Sequence, residues 1–213
     1  VERRFALQDK HKLSAILAHL DFGSYTPALY DYPRQQPGAY PVILKRETGT
    51  FGQGIFIVKS AEELSKRFKA VNERSGADAQ AQVGVNFIVQ EAVWNATEHI
   101  VHYLRTPPTF PGEGWVKFWC GVYAKDEWAA KGLWIKGDRD KRPFLRRTPC
   151  DTRVLHVLRA TLHAERVSGM GCTNYKYSGD QPKIFDWNLR QCGSMDAHVL
   201  EQLLREEVPK DTV

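Results

Sequence analysis

A glycine-rich segment between two β-type runs constrains the fold of this chain more than any other feature. Pro41-Val42-Ile43-Leu44-Lys45 is typical of a strand that ends in a lysine, and Ile55–Val58 is typical of a second strand. Three glycines stand between them, and glycine lets backbone amides approach phosphate oxygens closely. The pattern predicts two strands joined by a flexible phosphate loop, with an ordinary hairpin turn as the structural alternative.

This segment differs from two widespread phosphate loops. No Gly-Lys-Ser or Gly-Lys-Thr sequence ends it, and no helix directly follows the glycines, so it is not a P-loop. Asp21-Phe22-Gly23 occurs in the chain, but it precedes the lysine strand and no His-Arg-Asp sequence follows it. The order of protein-kinase motifs is therefore not met.

Hydrophobic periodicity predicts an α+β protein with an early small lobe and a later, larger one. Helices are expected over Asp9–Leu20, after a capping box at Ser60-Ala61-Glu62-Glu63, after the N-cap Asp151 and over about residues 196–206. The last two strands form a hairpin around Ser178-Gly179-Asp180. Strand-type runs are expected at 41–45, 55–58, 86–93, 98–104, 115–124, 129–135, 171–177 and 182–187.

The composition excludes several classes of protein. Among 213 residues there is no run of the roughly 20 apolar residues that a membrane-spanning helix needs, and the N-terminus lacks a signal-peptide pattern. We therefore expect a cytoplasmic protein or a domain of a longer chain. The four cysteines show neither CxxC spacing nor the density of a disulfide scaffold, so we expect buried free thiols. The net charge of +5 is scattered, and most tryptophans stand in strand-like runs, which argues against nucleic-acid binding.

A polar strand near the C-terminus is the second candidate for chemistry. In Lys183-Ile184-Phe185-Asp186-Trp187-Asn188-Leu189-Arg190, the residues Asp186, Asn188 and Arg190 alternate to one face. Two hard oxygen ligands and a guanidinium group would then lie within reach of one polyphosphate. The pattern predicts a magnesium and phosphate platform, with a solvated edge strand as the alternative.

An apolar strand in the middle of the chain is the third candidate. Phe87–Val93 ends in a turn, and Glu98 follows a few residues later. A backbone edge of this kind can pair with adenine, and the carboxylate can accept hydrogen bonds from ribose hydroxyls. A buried strand with an exposed Glu98 explains the same pattern without a ligand.

In this order the motifs resemble the ATP-grasp superfamily over about residues 9–194. Asp9-Lys10 is similar to the family's first lysine and Lys45 to its second, and Phe185–Arg190 resembles its acid-x-Asn-x-Arg signature. The resemblance implies that the phosphates are bound by Lys10, Lys45 and the loop residues Gly49, Thr50, Phe51, Gly52 and Gly54. It implies that the adenine hinge consists of Gln90, Glu91, Ala92 and Val93 and that Glu98 binds ribose. It also implies that magnesium is bound by Asp186, Asn188 and Asn174, and that Arg190 and Lys45 are catalytic.

Several residues depart from the family pattern. Asp186 replaces the more usual glutamate, and Leu189 stands where proline is common. The preceding strand has Asn174 where another metal-binding acid is normal, and Lys176 two residues later could substitute a cation. Binding of two metal ions is therefore in question. The chain also starts almost at Asp9-Lys10, so the preceding substrate domain is expected on a longer protein or on another chain.

The resemblance implies ATP and Mg2+ as cofactors, held between two α+β lobes. Residues 1–30 would form a helix and linker, 31–93 the small lobe and 94–213 the large lobe. The implied activity is activation of a small carboxylate as an acyl phosphate for attack by an amine, with release of ADP. Substrate contact is also proposed for a group of basic residues, with a solvated loop as the alternative interpretation. The group consists of Lys136, Arg139, Arg142 and Arg146. A small-molecule kinase and a non-catalytic ATP-binding module remain open, as does a homodimer.

Overall fold

The computed structural model describes residues 7–46, 55–77, 87–93, 97–107, 115–123, 145–190 and 197–205. The helices in these ranges are α1 (Lys10–His19), α2 (Ala61–Ala77), α3 (Thr152–Ala164) and α4 (Ala197–Arg205). The strands are β1 (Leu29–Tyr30), β2 (Val42–Arg46), β3 (Phe56–Val58), β4 (Phe87–Glu91), β5 (His99–Arg105), β6 (Val116–Tyr123), β7 (Leu145–Arg147), β8 (Gly169–Ser178) and β9 (Gln181–Asn188). None of the four helices described is long and apolar enough to cross a membrane.

The strands form two antiparallel sheets. The first sheet has the order β1-β4-β2-β3, and the second has the order β7-β6-β5-β8-β9. Because β2 pairs with β3 through Leu44 and Phe56, the glycine-rich segment joins two antiparallel neighbours, as the sequence predicts. Strands of the first sheet come from residues 29–91 and those of the second from residues 99–188, so the predicted α+β class is confirmed.

Helices α1 and α3 cover one face of the second sheet. The side chain of Asp151 caps α3 by accepting a hydrogen bond from the Arg153 amide at 2.9 Å, and Asp9 caps α1 in the same way. Burying one large apolar side chain contributes about 1.5–3 kcal/mol, so this core is the main source of stability for the second sheet and its helices. Its fully buried members include Leu13, Leu17, Val101, Tyr103, Val154, Val157, Leu158, Leu162, Tyr175, Ile184 and Trp187.

Helix α2 packs on the first sheet in a smaller, separate core. The amide of Glu63 donates to Ser60 Oγ at 3.2 Å, as a capping-box sequence predicts, while Glu63 Oε2 accepts from the amide of Lys59, one residue before the cap, at 2.9 Å. Leu64 is fully buried against the apolar side of the sheet. The core consists of Leu64 with Val42, Leu44, Val58 and Val89.

The second sheet carries helix α4 on its other face. Val199 and Leu203 pack against Trp119, and the Trp119 indole nitrogen donates to Gln202 Oε1. Trp119 and Trp187 are both buried, as the sequence predicts for tryptophans in strand-like runs. The same face carries a small apolar cluster around Ile100 and Cys172 and, beside the first sheet, the charged side chains of Asp186 and Lys176.

The expectation of free thiols is wrong for the described residues. Cys120 on β6 forms a disulfide with Cys150, which stands one residue before the cap of α3, and Cys172 is disulfide-bonded as well. Cys120 and Cys150 are 30 residues apart, so local spacing gives no signal of the bond. Their proximity arises because β6 and the start of α3 meet in the core. The strand expected at 129–135 lies outside the described residues.

Candidate functional site

Lys45 extends from the first sheet to the second. It is the fourth residue of the strand β2 and is 5% exposed. Its ammonium group donates a hydrogen bond to the backbone carbonyl oxygen of Phe185 on β9 at 3.3 Å. Strand β2 lies between β3 and β4, and Lys45 itself pairs with Ile88 of β4, so the ladder fixes the backbone position of this lysine.

The charge on Lys45 is poorly compensated. Burial, and then the like charge of Lys10, lower the pKa of the Lys45 ammonium group to about 7. The carboxylates of Asp186 and Glu98 oppose this shift in the pKa of Lys45 without cancelling it. A buried cation with a lowered pKa favours an anionic ligand, because the ligand would supply the missing countercharge.

Lys10 reaches the same place from the first turn of α1. The Asp9 carboxylate accepts hydrogen bonds from the amides of His11 and Lys12 at 3.0 and 3.1 Å, which fixes the helix start. Lys10 is 9% exposed, and its Nζ lies 4.0 Å from Asp186 Oδ1. The two lysines that the resemblance places on the phosphates therefore reach neighbouring residues of β9, Lys45 the Phe185 carbonyl and Lys10 the Asp186 carboxylate.

A β-bulge on β9 sets the directions of the side chains in the signature strand. In the β8–β9 ladder Asn174 pairs with Asp186 and Tyr175 with Ile184, so Phe185 is an extra residue. The bulge lets Ile184 and Trp187 both enter the core while Asp186 lies on the opposite face. Sequence reasoning missed this bulge, although the three-residue spacing of those two apolar residues breaks strict alternation and could have indicated it.

Asp186 and Asn188 share the face that the sequence predicts for them. The amide nitrogen of Asn188 donates to Asp186 Oδ2 at 2.9 Å, and the Asp186 side chain is 35% exposed. Arg190 follows two residues after the end of β9 and is exposed. The pair therefore presents carboxylate and amide oxygens to solvent beside Lys10.

Asn174 and Lys176 on β8, together with Glu98 just before β5, extend the site. The Asn174 amide nitrogen donates to Glu98 Oε1 at 2.7 Å. Burial raises the pKa of Glu98, while the charge of Lys176 and the Asn174 hydrogen bond lower the pKa of the same carboxyl group. Two side chains with separate predicted roles, ribose binding and metal binding, thus contact each other directly.

The predicted hinge lies where β4 leaves the first sheet. Gln90 is 5% exposed and pairs with Leu29 on one side and Ile43 on the other. The Glu91 carboxylate accepts from the Ala28 amide at 3.0 Å, and the Glu91 amide donates to the Ala28 carbonyl at 2.8 Å. Ala92 and Val93 follow the strand and are partly buried. The side chain of Glu91 is therefore used to hold the segment before β1.

Two groups of predicted residues fall outside the described part of the chain. Arg146 of the basic group is described: it lies on β7, pairs with Val122 and is exposed. The loop residues Gly49, Thr50, Phe51, Gly52 and Gly54, and the basic residues Lys136, Arg139 and Arg142, lie outside the described ranges.

The donor set fits one hard cation. Magnesium in nucleotide sites is held by one or two carboxylates together with substrate phosphates and water, and Asp186 with Asn188 can supply such oxygens. Within the described residues there is no group of three or more His, Cys, Asp or Glu side chains that could form a larger metal centre. The amide nitrogen of Asn174 is bound to Glu98, which leaves that residue as a neutral ligand at most.

Comparisons with known proteins bear on this geometry only through three-dimensional structure. No family model matches the chain, and no characterised protein sequence matches it significantly. Among solved structures, biotin carboxylase from Campylobacter jejuni in its beta-gamma-ATP complex matches with a TM-score of 0.64 and 16% identity. The match covers 92% of this chain and 43% of that one.

Two further structures extend the comparison. The biotin carboxylase domain of Hydrogenobacter thermophilus 2-oxoglutarate carboxylase, in complex with MgADP, ADP and bicarbonate, matches at TM-score 0.60 and 12% identity over 89% of this chain and 41% of its own. D-alanine–D-alanine ligase from Bacillus anthracis, complexed with ATP, matches with a TM-score of 0.55 and 14% identity. That match covers 86% of this chain and 56% of the ligase chain. The chain thus spans about half the length of these relatives.

All three neighbours are ATP-grasp enzymes. At such low identity the comparison establishes the fold, and its two antiparallel sheets agree with the architecture described above. The chain has the ATP-grasp fold, as the order of its motifs predicts.

Proposed function

We propose that this chain binds ATP with one magnesium ion between its two sheets and activates a carboxylate as an acyl phosphate for attack by an amine. The observation that carries the proposal is the convergence of Lys10 and Lys45 on the β9 strand of Asp186 and Asn188. These lysines come from a helix and from the other sheet, so only the tertiary fold brings them together. The ATP-grasp fold supports the nucleotide as ligand.

The roles of the polar residues follow from their charges. Lys10 and Lys45 would bind the α- and β-phosphates through charge-assisted hydrogen bonds. Asp186 and Asn188 would hold magnesium, which when bound neutralises charge on the phosphate oxygens during transfer. Arg190 would contact the transferred phosphate or the carboxylate, since a guanidinium group can bind either one through two hydrogen bonds.

The remaining predicted contacts surround the nucleotide. Gln90, Glu91, Ala92 and Val93 would contact adenine, and Glu98 the ribose. The glycine-rich segment would cover the phosphates through its backbone amides. We further propose that residues 31–93 act as the small lobe and 94–213 as the large lobe, with the nucleotide held between them.

The reaction would proceed in two balanced steps. A substrate carboxylate oxygen attacks the γ-phosphorus, the bond to the β–γ bridging oxygen breaks, and ADP leaves. The lone pair of the amine then attacks the acyl carbon, and phosphate leaves with the electrons of the carbon–oxygen bond. Loss of a proton from nitrogen gives the amide. Catalysis in such a site is mostly positioning and charge neutralisation, which is what the buried lysines can supply.

The test separates binding from turnover. ATP with magnesium is titrated into the chain by calorimetry. ADP release is then assayed over a panel of small carboxylates with and without amines, and over a panel of small alcohols. A ligase releases ADP only when both are present, and a small-molecule kinase requires a hydroxyl acceptor alone. Binding without turnover across the panel would favour an ATP-binding module, and absence of ATP binding would overturn the proposal.

A further inference from the structure

Among the residues that the structure describes, the charged group beside Phe185 and Asp186 contains more cations than anions. Lys10, Lys45 and Lys176 contribute three ammonium groups, whereas Asp186 and Glu98 contribute two carboxylates. The Glu98 carboxylate already accepts a hydrogen bond from Asn174. The Asp186 carboxylate, with its hydrogen-bond partner Asn188, is about one-third exposed and is therefore the acid that a ligand can reach. One divalent cation has a set of ligands here, and a second would have to displace the Asn174 contact.

Lys176 belongs to this face although no motif of the fold requires a lysine there. It lies two residues after Asn174 on β8, and residues two apart on a strand point to the same face. Its Nζ lies 5.8 Å from the centre of the Phe185 ring, and Lys45 Nζ lies 6.0 Å from the centre of the same ring. The bulged Phe185 is thus in contact range of two ammonium groups that come from different sheets.

This arrangement disfavours a second metal ion and favours a phosphate. A divalent cation between Asn174 and Glu98 would meet the like charge of Lys176 in a partly buried setting, where screening by solvent is weak. A polyphosphate gains from the same charge, because every ammonium group on the face offsets part of its negative charge.

We propose that Lys176 is a phosphate-binding residue that serves as a fixed cation, so that the site holds a nucleoside triphosphate with a single divalent ion. The inference rests on the proposed binding of ATP and adds to it a specific consequence. Polyphosphate affinity should depend only modestly on magnesium, because three lysines provide countercharge that magnesium would otherwise supply.

The neighbouring Lys183 provides a matched control. It pairs with Lys176 across the β8–β9 ladder and is also partly buried, but its Nζ donates to the Thr26 carbonyl at 3.3 Å. Lys183→Met therefore removes one positive charge from the same strand pair without removing a charge beside Phe185. Comparing it with Lys176→Met separates a local phosphate contact from a change in net charge.

The experiment measures the affinity of ATP and of inorganic tripolyphosphate by calorimetry, in magnesium and in excess chelator. For the wild-type chain we expect chelation of magnesium to lower the affinity by less than about tenfold. In chelator, Lys176→Met should bind about tenfold or more weakly than the wild type, which is the scale of a charge-assisted hydrogen bond. Lys183→Met should match the wild type. Circular dichroism and thermal unfolding of each variant check that it folds.

Manganese, counted by its electron paramagnetic resonance signal in the presence of ATP, gives a second measurement. One bound ion per chain is expected, and two per chain would overturn the inference. The inference about Lys176 would also be overturned if chelation lowered the affinity for ATP by more than about a hundredfold, equally in the wild type and in Lys176→Met. That result would leave the proposed function intact. If ATP binds in neither condition, the proposed function itself fails.

Discussion

The two faces of the second sheet use polar residues in opposite ways. On the face covered by α1 and α3, the Asp151 carboxylate accepts from Tyr177 Oη at 2.7 Å and from the Arg153 guanidinium at 2.8 Å. On the face beside the first sheet, Lys45 is buried near Lys10, and its main hydrogen-bond acceptor is a backbone carbonyl. On the helix face the Asp151 carboxylate is paired with donors, whereas on the other face Lys45 lies beside the like charge of Lys10.

This difference indicates which face of the sheet contributes to folding stability and which face contributes to ligand binding. A satisfied buried network stabilises the fold, and a buried group with too little countercharge costs stability until a ligand provides it. Substitutions on the helix face should therefore lower the free energy of unfolding. Substitutions of the lysines on the site face should raise it, or leave it unchanged, while they weaken ligand binding.

The largest effect is expected for Trp187→Ala. Trp187 is 1% exposed on the helix face, and its indole nitrogen donates to Tyr103 Oη at 3.1 Å. Removing its ring should lower the free energy of unfolding by about 3–5 kcal/mol, because a large cavity remains in the core. Urea unfolding measures the change. A loss below about 1 kcal/mol would contradict the division into faces.

The next largest effect is expected for Cys150→Ser, which opens the disulfide to Cys120. Closing a loop of 30 residues restricts the unfolded chain by about 3–4 kcal/mol in the entropic model, and that contribution should be lost. Cys120→Ser/Cys150→Ser should lose no more than the single variant. Thiol titration of the unreduced protein also tests the expected cytoplasmic location, because structural disulfides are rare in reducing compartments.

Lys45→Met should reveal the cost of the buried charge. We expect the unfolding free energy at pH 7 to rise by about 1–4 kcal/mol, since an apolar chain of similar length replaces an uncompensated cation. The pKa of Lys45 is lowered from 10.5 to about 7 in the folded protein. The charge therefore destabilises the folded state fully below pH 7, and this destabilisation decreases as the pH rises towards 10.5. The stability advantage of the variant should therefore shrink over that window.

The same substitution should weaken binding of ATP by about 1–3 kcal/mol, the scale of one charge-assisted hydrogen bond. Because the pKa of Lys45 is lowered in the free protein, ATP binding near pH 8 should also take up a proton, which calorimetry in buffers of different ionisation enthalpy detects. Proton uptake unchanged in Lys45→Met would show that another group titrates.

Asp151→Asn should cost less than the preceding core changes. Hydrogen bonds from Arg153, the first of several causes, lower the pKa of Asp151 to about 2 from 3.8. Because the Arg153 side chain is 47% exposed and solvent screens the pair, the carboxylate contributes about 1 kcal/mol of stability above pH 4. That contribution is lost as pH falls towards 2. The variant should show a smaller acid-induced loss of stability between pH 4 and 2. An identical pH dependence in both proteins would exclude the network.

The smallest change in stability is expected for Asp186→Asn. The side chain is 35% exposed, so loss of its charge beside Lys10 and Lys45 should lower the unfolding free energy by about 1 kcal/mol or less. Binding of ATP in magnesium should weaken more than binding in chelator, because the variant loses its anionic metal ligand. Equal losses in the two conditions would show that Asp186 does not hold the cation. Trp187→Ala, one residue away on the other face, is the natural comparison.

Much of the fold was predictable because local patterns and long-range packing agree. The helix begun by Asp151, the capping box at Ser60 and the hairpin around Gly179 all form where the sequence predicts them. Strands β1 and β7 were not predicted, since they are only two and three residues long and carry no detectable alternation. The disulfide was missed for a similar reason: its two cysteines have no local relation.

The sequence by itself determined the order of elements and the candidate side chains, because hydrophobic periodicity and caps act over a few residues. It placed Asp186 and Asn188 on one face and indicated Lys10 and Lys45 through a resemblance of motifs. Only the tertiary structure decided how these charges affect one another. The convergence on Phe185, the contact between Asn174 and Glu98, and the lowered pKa of Lys45 depend on burial and distance between the two sheets, which no local pattern encodes.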